Sequence, residues 1–158
     1  MVKRLFLIIS IAVLAVSCES EYQTTLVDQE SFIDKYITSQ FADNTVIRNE
    51  GVNRVIIKEG NGQTIEKGDQ VSFYYAGYVL TAQGPSTIFT TDRTTVTIGK
   101  GDLIKGLDIG LVGARSGEES LLIFTADYGY GRNSVNIVPE ASALLFQTVV
   151  THVQKNKN

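Results

Sequence analysis

From about residue 45 onward, apolar residues fall at alternate positions in short runs, and glycine-containing turns separate the runs. Successive side chains of a strand point to opposite faces, so this pattern calls for half-buried strands joined by turns, an antiparallel sheet. Val55 and Ile57 interleave with Arg54, Ile56 and Lys58 before Gly60-Asn61-Gly62 turns the chain. Val71, Phe73, Tyr75 and Val79 share one face of the next strand, with Gly77 on that face allowing a bend. Val96 with Ile98, then Leu121 to Thr125, start further strands, and Leu144, Phe146, Thr148 and Val150 share a face of the last. One segment breaks the alternation. Ile104, Leu107, Leu111 and Val112 recur at helical spacing, although Gly106, Gly110 and Gly113 each weaken a helix by up to about 1 kcal/mol, so packing must keep it. The expected fold is α+β, a sheet wrapped over one short helix. Cys18 is the single cysteine, so no internal disulfide staples the sheet and the core must hold it.

The chain opens differently. Lys3 and Arg4 precede an apolar run from Leu5 to Val16 broken only by Ser10. A dozen residues fall short of the roughly 20 that span a bilayer, so the pattern reads as a signal peptide over residues 1–17. Leu14-Ala15-Val16-Ser17-Cys18 resembles a bacterial lipobox, with Ala15 where Leu is usual; this implies that Cys18 is lipidated and becomes the mature N-terminus. The alternative is ordinary secretory cleavage nearby, leaving a free thiol. The expectation is an exported bacterial lipoprotein, anchored to a membrane through Cys18. Acidic Glu19 and Glu21 hint at the outer membrane, on its periplasmic face or at the cell surface. Residues 18–27 would form the lipidated cysteine and a polar tether. An amphipathic helix follows over 28–44, opened by Asp28, with Phe32, Ile33, Tyr36, Ile37 and Phe41 as its stripe. That stripe has two readings, packing onto its own domain or pairing with a second copy as a homodimer. The domain proper is expected over 45–154, with a frayed tail at 155–158.

Removing residues 1–17 leaves 12 basic against 17 acidic residues, a net charge of −5 that disfavours nucleic-acid binding. About 140 residues remain, enough for one domain with a hydrophobic core. His152 is the only histidine, so neither a zinc-type cluster nor a serine triad is expected, and no metal or cofactor is called for. Gly99-Lys100-Gly101 and Gly129-Tyr130-Gly131 lack phosphate-loop spacing and read as turns. Adjacent Glu118 and Glu119 read as a solvated pair whose side chains diverge.

Six ordered blocks over residues 50–153 resemble the FK506-binding-protein (FKBP) type of peptidyl-prolyl isomerase. They are Gly68-Asp69-Gln70-Val71-Ser72-Phe73-Tyr74-Tyr75-Ala76-Gly77, then Ile88-Phe89-Thr90-Thr91, then Ile98-Gly99-Lys100-Gly101-Asp102-Leu103-Ile104-Lys105-Gly106-Leu107, continuing to Leu111. Gly117-Glu118-Glu119, Asp127-Tyr128-Gly129-Tyr130-Gly131, and Ile137-Val138-Pro139 with Leu144-Leu145-Phe146 complete the set. The resemblance implies a curved antiparallel sheet around one short helix, here preceded by an extra N-terminal helix. It also implies an apolar cleft that takes proline-containing polypeptides. Catalytic positions carried over by resemblance are Tyr75, Phe89, Thr90 and Tyr130. Substrate-binding positions are Leu103, Ile104, Leu107, Val138 and Phe146, with Leu107 as floor and Tyr130 at the rim. For each of these the competing reading is plain core packing, which is preferred for Phe73 and Leu111. The resemblance further implies that the Ile104 N–H and the Tyr130 hydroxyl hold substrate carbonyls.

Three positions depart from the pattern. Thr90 stands where the family has Asp after Phe, Leu107 where a floor Trp is usual, and Thr94 where an aromatic precedes the central strand. These imply a wider, less polar cleft and modest activity. A loop over Leu80 to Ser86 is expected to exceed a hairpin turn. Two alternatives stay open at this point: a non-catalytic, chaperone-like module binding proline-containing segments, and a structural surface lipoprotein.

Overall fold

The computed structural model describes the backbone of residues 2–156 and the side chains of residues 19–156. The Cys18 side chain, those of the expected signal peptide, and residues 157 and 158 lie outside the described set. Helix α1 (Val2–Gln40) leads into six strands, β1 (Val46–Asn49), β2 (Val52–Lys58), β3 (Gln70–Thr81), β4 (Gly84–Thr97), β5 (Glu119–Phe124) and β6 (Ala143–Gln154). Helix α2 (Lys105–Leu111) lies between β4 and β5. The strands form one antiparallel sheet in the order β1-β2-β5-β6-β3-β4. Among the described residues no helix is long and apolar enough to cross a membrane.

Both faces of the sheet are covered. Val71, Phe73, Leu122, Phe124, Leu144 and Phe146 point to one face and pack with Leu107 and Leu111 of α2. Val55, Leu80, Ile123, Ala143 and Leu145 point to the other and pack with Ile33 and Ile37 of α1. The central strands β5 and β6 therefore bury both sides, which is why Leu121 to Phe124 and Ala143 to Phe146 run apolar without alternation. The stripe of α1 is used by its own domain: Ile33 is 2 % and Ile37 3 % exposed. These residues are closed to a second copy, and the homodimer reading has no support in this face.

Helix α2 approaches the sheet closely. A Cβ on Gly106 would lie 2.5 Å from the Phe124 ring. The glycines that cost helix propensity thus let the helix reach β5, and burial of Leu107 and Leu111 offsets the loss. At the far end of α2, Arg54 is buried rather than solvated, its Nη1 donating to the carbonyls of Gly110 (3.3 Å) and Val112 (3.0 Å).

Several expectations need correction. Residues 19–27, read as a tether, continue α1 and dock on the domain, with the Tyr22 hydroxyl donating to Asp127 at 2.6 Å and Arg132 pairing with Glu19. The helix therefore does not begin at Asp28. Ile57 does not share a face with Val55: a bulge between Ile56 and Lys58 turns it to solvent. Leu80 to Ser86 is a tight hairpin, with Thr81 opposite Gly84 across Ala82 and Gln83. Glu118 is 2 % exposed and meets Arg54 at 3.5 Å, so it is no solvated residue, while Glu119 diverges to Lys58. Lys155 and Asn156, placed in a frayed tail, are tied to Asp69 at 2.7 and 2.9 Å.

Candidate functional site

The expected site residues come from five separate segments and converge on the face that α2 covers. Tyr75 lies on β3, Phe89 and Thr90 on β4, and Phe146 on β6; Leu103 and Ile104 precede α2, which carries Leu107. Tyr130 and Val138 sit on the long connection between β5 and β6. Leu107, Val138 and Phe146 are buried, and Tyr75, Phe89, Leu103, Ile104 and Tyr130 are partly exposed against the same core. The first three make a floor and the last five a rim.

A bulge sets the position of Phe89. Gly77 pairs with Thr90, but Tyr78 pairs with Ile88, leaving Phe89 as the extra residue. Bulges re-aim side chains, and here the Phe89 ring meets Phe146 edge-on at 5.6 Å and Tyr130 at 6.3 Å. Tyr75 reaches Phe146 at 6.1 Å, and Phe124 stacks on Phe146 at 6.0 Å. A Cβ on Gly77 would lie 2.8 Å from Phe146 and Phe89 and 2.9 Å from the Thr90 methyl, so only glycine leaves room for these three groups. Phe89 and Phe146 are thus in ring contact on the face that α2 covers.

The rim holds hydrogen-bond donors. The Ile104 N–H opens α2 in an extended conformation and has no partner among the described residues; the Tyr75 and Tyr130 hydroxyls have none either. Burial, with a smaller contribution from Tyr75, pushes the Tyr130 hydroxyl above its ordinary pKa, so it remains a protonated donor. Aromatic and aliphatic side chains packed on one face, with unpartnered donors among the described residues beside them, suit binding of an extended apolar segment.

Sequence reasoning missed Asp92. The register sets Asp92 opposite Tyr75, two positions along β4 from Thr90 and therefore on the cleft side. Only the strand register reveals this, since the family pattern directs attention to position 90. Thr94 lies opposite Phe73 on the same side. His152 is on β6 opposite Ser72, outside the cleft. A groove of about 970 Å³ opens beside it, between Lys67, Gly99 and Lys155, and none of the cleft residues lines it. Among the described residues no group of three or more His, Cys, Asp or Glu is placed to hold a metal.

A curved antiparallel sheet closed over one short helix, with aromatic rings gathered between them, is the architecture that the FKBP resemblance implies. Residues 61–151 match the family described as FKBP-type peptidyl-prolyl cis-trans isomerase. FK506-binding protein 1 of Aspergillus oryzae is 36 % identical over 110 residues, covering 61 % of this chain and 93 % of the relative. A peptidyl-prolyl cis-trans isomerase of Schizosaccharomyces pombe is 34 % identical over 110 residues, covering 68 % and 98 %. The crystal structure of a peptidyl-prolyl cis-trans isomerase from Pseudomonas syringae pv. tomato superposes with a TM-score of 0.66 at 18 % identity, over 84 % of this chain and 96 % of that one. The chain belongs to the FKBP-type peptidyl-prolyl cis-trans isomerase family. It is an isomerase whose family binds proline-containing peptides.

Proposed function

We propose that the protein accelerates X-Pro isomerisation in exported polypeptides while tethered through a lipid on Cys18, and that Tyr75, Phe89, Thr90 and Tyr130 form its catalytic cleft. The observation that carries the site is the contact of the Phe89 ring with those of Tyr130 and Phe146, on the core against which Ile104 packs with its N–H unpartnered among the described residues. The X-Pro barrier of about 18–20 kcal/mol comes from amide resonance, which is lost in the twisted transition state. The planar amide is the more polar form, so moving it from water to an apolar cleft destabilises it more than the twisted one. Donors from Ile104 N–H and Tyr130 fix the flanking carbonyls while the prolyl ring turns against Phe89 and Leu107. Leu103, Val138 and Phe146 complete the apolar wall.

Thr90 supplies a hydroxyl where a carboxylate is usual, which supports a modest rate. Location rests on Lys3, Arg4, the apolar run to Val16, and Cys18. Glu19 and Glu21 favour the outer membrane. Mass spectrometry of the protein made in a bacterium tests the anchor. A mature N-terminus at Cys18 carrying diacylglycerol is expected, and an uncleaved or unlipidated chain contradicts it. Acceleration of X-Pro isomerisation by the full chain in detergent, lost in Phe89→Ala, tests the site.

A further inference from the structure

Gln29 is a long polar side chain on α1, yet it is 4 % exposed. Burying an amide costs free energy unless its donors and acceptor are partnered. Its Oε1 accepts the Ala126 N–H at 2.9 Å, and its Nε2 donates to the Ala141 carbonyl at 2.6 Å. Those two alanines open and close the segment that carries Tyr130 and Val138. Within that segment the Gly131 N–H donates to the Ala126 carbonyl at 2.9 Å, and the Ala141 N–H donates to the Gly131 carbonyl at 2.8 Å. The four hydrogen bonds form a closed circuit, Gln29 to Ala126 to Gly131 to Ala141 and back to Gln29. Gly131 adjoins Tyr130, the rim hydroxyl of the cleft. Ala141 has φ of +51°, a conformation that non-glycine residues rarely adopt and that surrounding bonds must hold. A second clasp lies one helical stretch earlier, where Tyr22 donates to Asp127 and Arg132 lies 4.3 Å over the Tyr22 ring.

We propose that Gln29 is a positioning residue for the isomerase cleft: by closing this circuit it fixes the Tyr130 hydroxyl, and it makes the N-terminal helix part of the catalytic apparatus. The inference rests on the cleft reading given above. It does not place Gln29 on the substrate. Without the circuit the connection between β5 and β6 keeps its chain path but samples more positions, and small misplacements of a binding group are costly in rate.

The test uses the full chain in detergent micelles, a proline-containing peptide as substrate, and a double-substitution cycle. Gln29→Met, similar in length but without hydrogen bonds, should lower kcat/KM about fourfold, no more than removal of the Tyr130 hydroxyl itself does in Tyr130→Phe. In a Tyr130→Phe background the same substitution should cost less than about twofold, because the hydroxyl to be positioned is gone. An equal factor in both backgrounds indicates a purely structural role and overturns the proposal. Gln29→Glu covers the case in which Gln29→Met fails to fold. Its carboxyl keeps the acceptor and regains a donor toward Ala141 when protonated, so its activity relative to the unaltered chain should climb as pH is lowered. Glu19, Tyr22, Asp127 and Arg132 of the same contact are present in every variant and cancel in that ratio. A ratio that stays flat with pH overturns the proposal. Phe89→Ala separates the two claims. If Phe89→Ala abolishes activity and the Gln29 variants keep it, the positioning role alone fails; if Phe89→Ala keeps full activity, the cleft reading fails and the positioning role with it.

Discussion

The ring of Phe89 stands edge-on to that of Phe146, centroids 5.6 Å apart and planes at 89°. Each ring comes from a different edge of β3, since Gly77 pairs with Thr90 on one side and with Phe146 on the other. Gly77 is therefore the point on β3 where the two rings meet.

Gly77→Ala sets a methyl 2.8 Å from both rings. Overpacking of this kind costs about 1–3 kcal/mol. Urea unfolding should register that loss. Activity should fall further than stability, because Phe89 must move away from Phe146.

Thr90→Asp should raise kcat/KM several-fold, by about 1 kcal/mol of transition-state stabilisation. Asp92, on the same side of β4 and opposite Tyr75, is expected to supply part of that influence already. Asp92→Asn should then lower kcat/KM by a similar factor in the parent and by less in Thr90→Asp. Peptide assays of the four proteins check this; independent, additive effects would show that the two positions do not share a role.

How far the sequence revealed this arrangement depends on which physical signal each part leaves. Alternation along β3 marked Val71, Phe73 and Tyr75 as one face, because period two survives any sheet order. The family blocks brought Tyr75, Phe89 and Tyr130 to one cleft, and the structure does bring these rings together. Phe89 as a bulge residue, the register position of Asp92 opposite Tyr75, and the hairpin at Thr81 and Gly84 depend on cross-strand pairing, which no single strand encodes. Glu118 reads as solvated because charged residues are rarely buried, and only its pairing with Arg54 at the end of α2 explains its burial. Polar residues 19–29 looked like tether and exposed helix because their partners lie about a hundred residues away.

Burial drives the Arg54 guanidinium below its ordinary pKa, with Glu118 and Glu59 acting against that shift. Glu118→Gln leaves a buried cation without its counter-charge at the end of α2, and removing one member of such a pair costs about 3–5 kcal/mol. Thermal unfolding should show this loss. Replacing both residues by leucine should recover much of it, and a double variant as unstable as the single one would contradict the account.

Desolvation pushes the Asp69 carboxyl up, but hydrogen bonds from Lys155 and from the Asn156 and Glu66 N–H groups, with the Lys155 charge, together outweigh it and hold the carboxyl below its ordinary pKa. A depressed folded-state pKa stabilises above the unfolded value of about 4 and is lost as pH falls through the folded one. The end of β6 should therefore release in acid. Acid unfolding of Asp69→Asn should lack this contribution and show a shallower loss of stability below about pH 4.

Catalysis should show no such acid limb near neutrality. The raised pKa of Tyr130 keeps its donor protonated, and activity depending on it fades only as pH climbs past that raised value. A kcat/KM profile level from about pH 6 to about pH 9 is expected. An apparent pKa of about 7 would implicate a titrating group outside this mechanism.

The most direct measurement is kcat/KM for isomerisation of a short X-Pro peptide by the full chain in detergent, beside its Phe89→Ala and Tyr130→Phe variants. The account predicts clear acceleration by the parent, a loss of about tenfold or more in Phe89→Ala, and a smaller loss in Tyr130→Phe, with unfolding temperatures close to the parent's. A folded parent without acceleration, or variants as active as the parent, would contradict it.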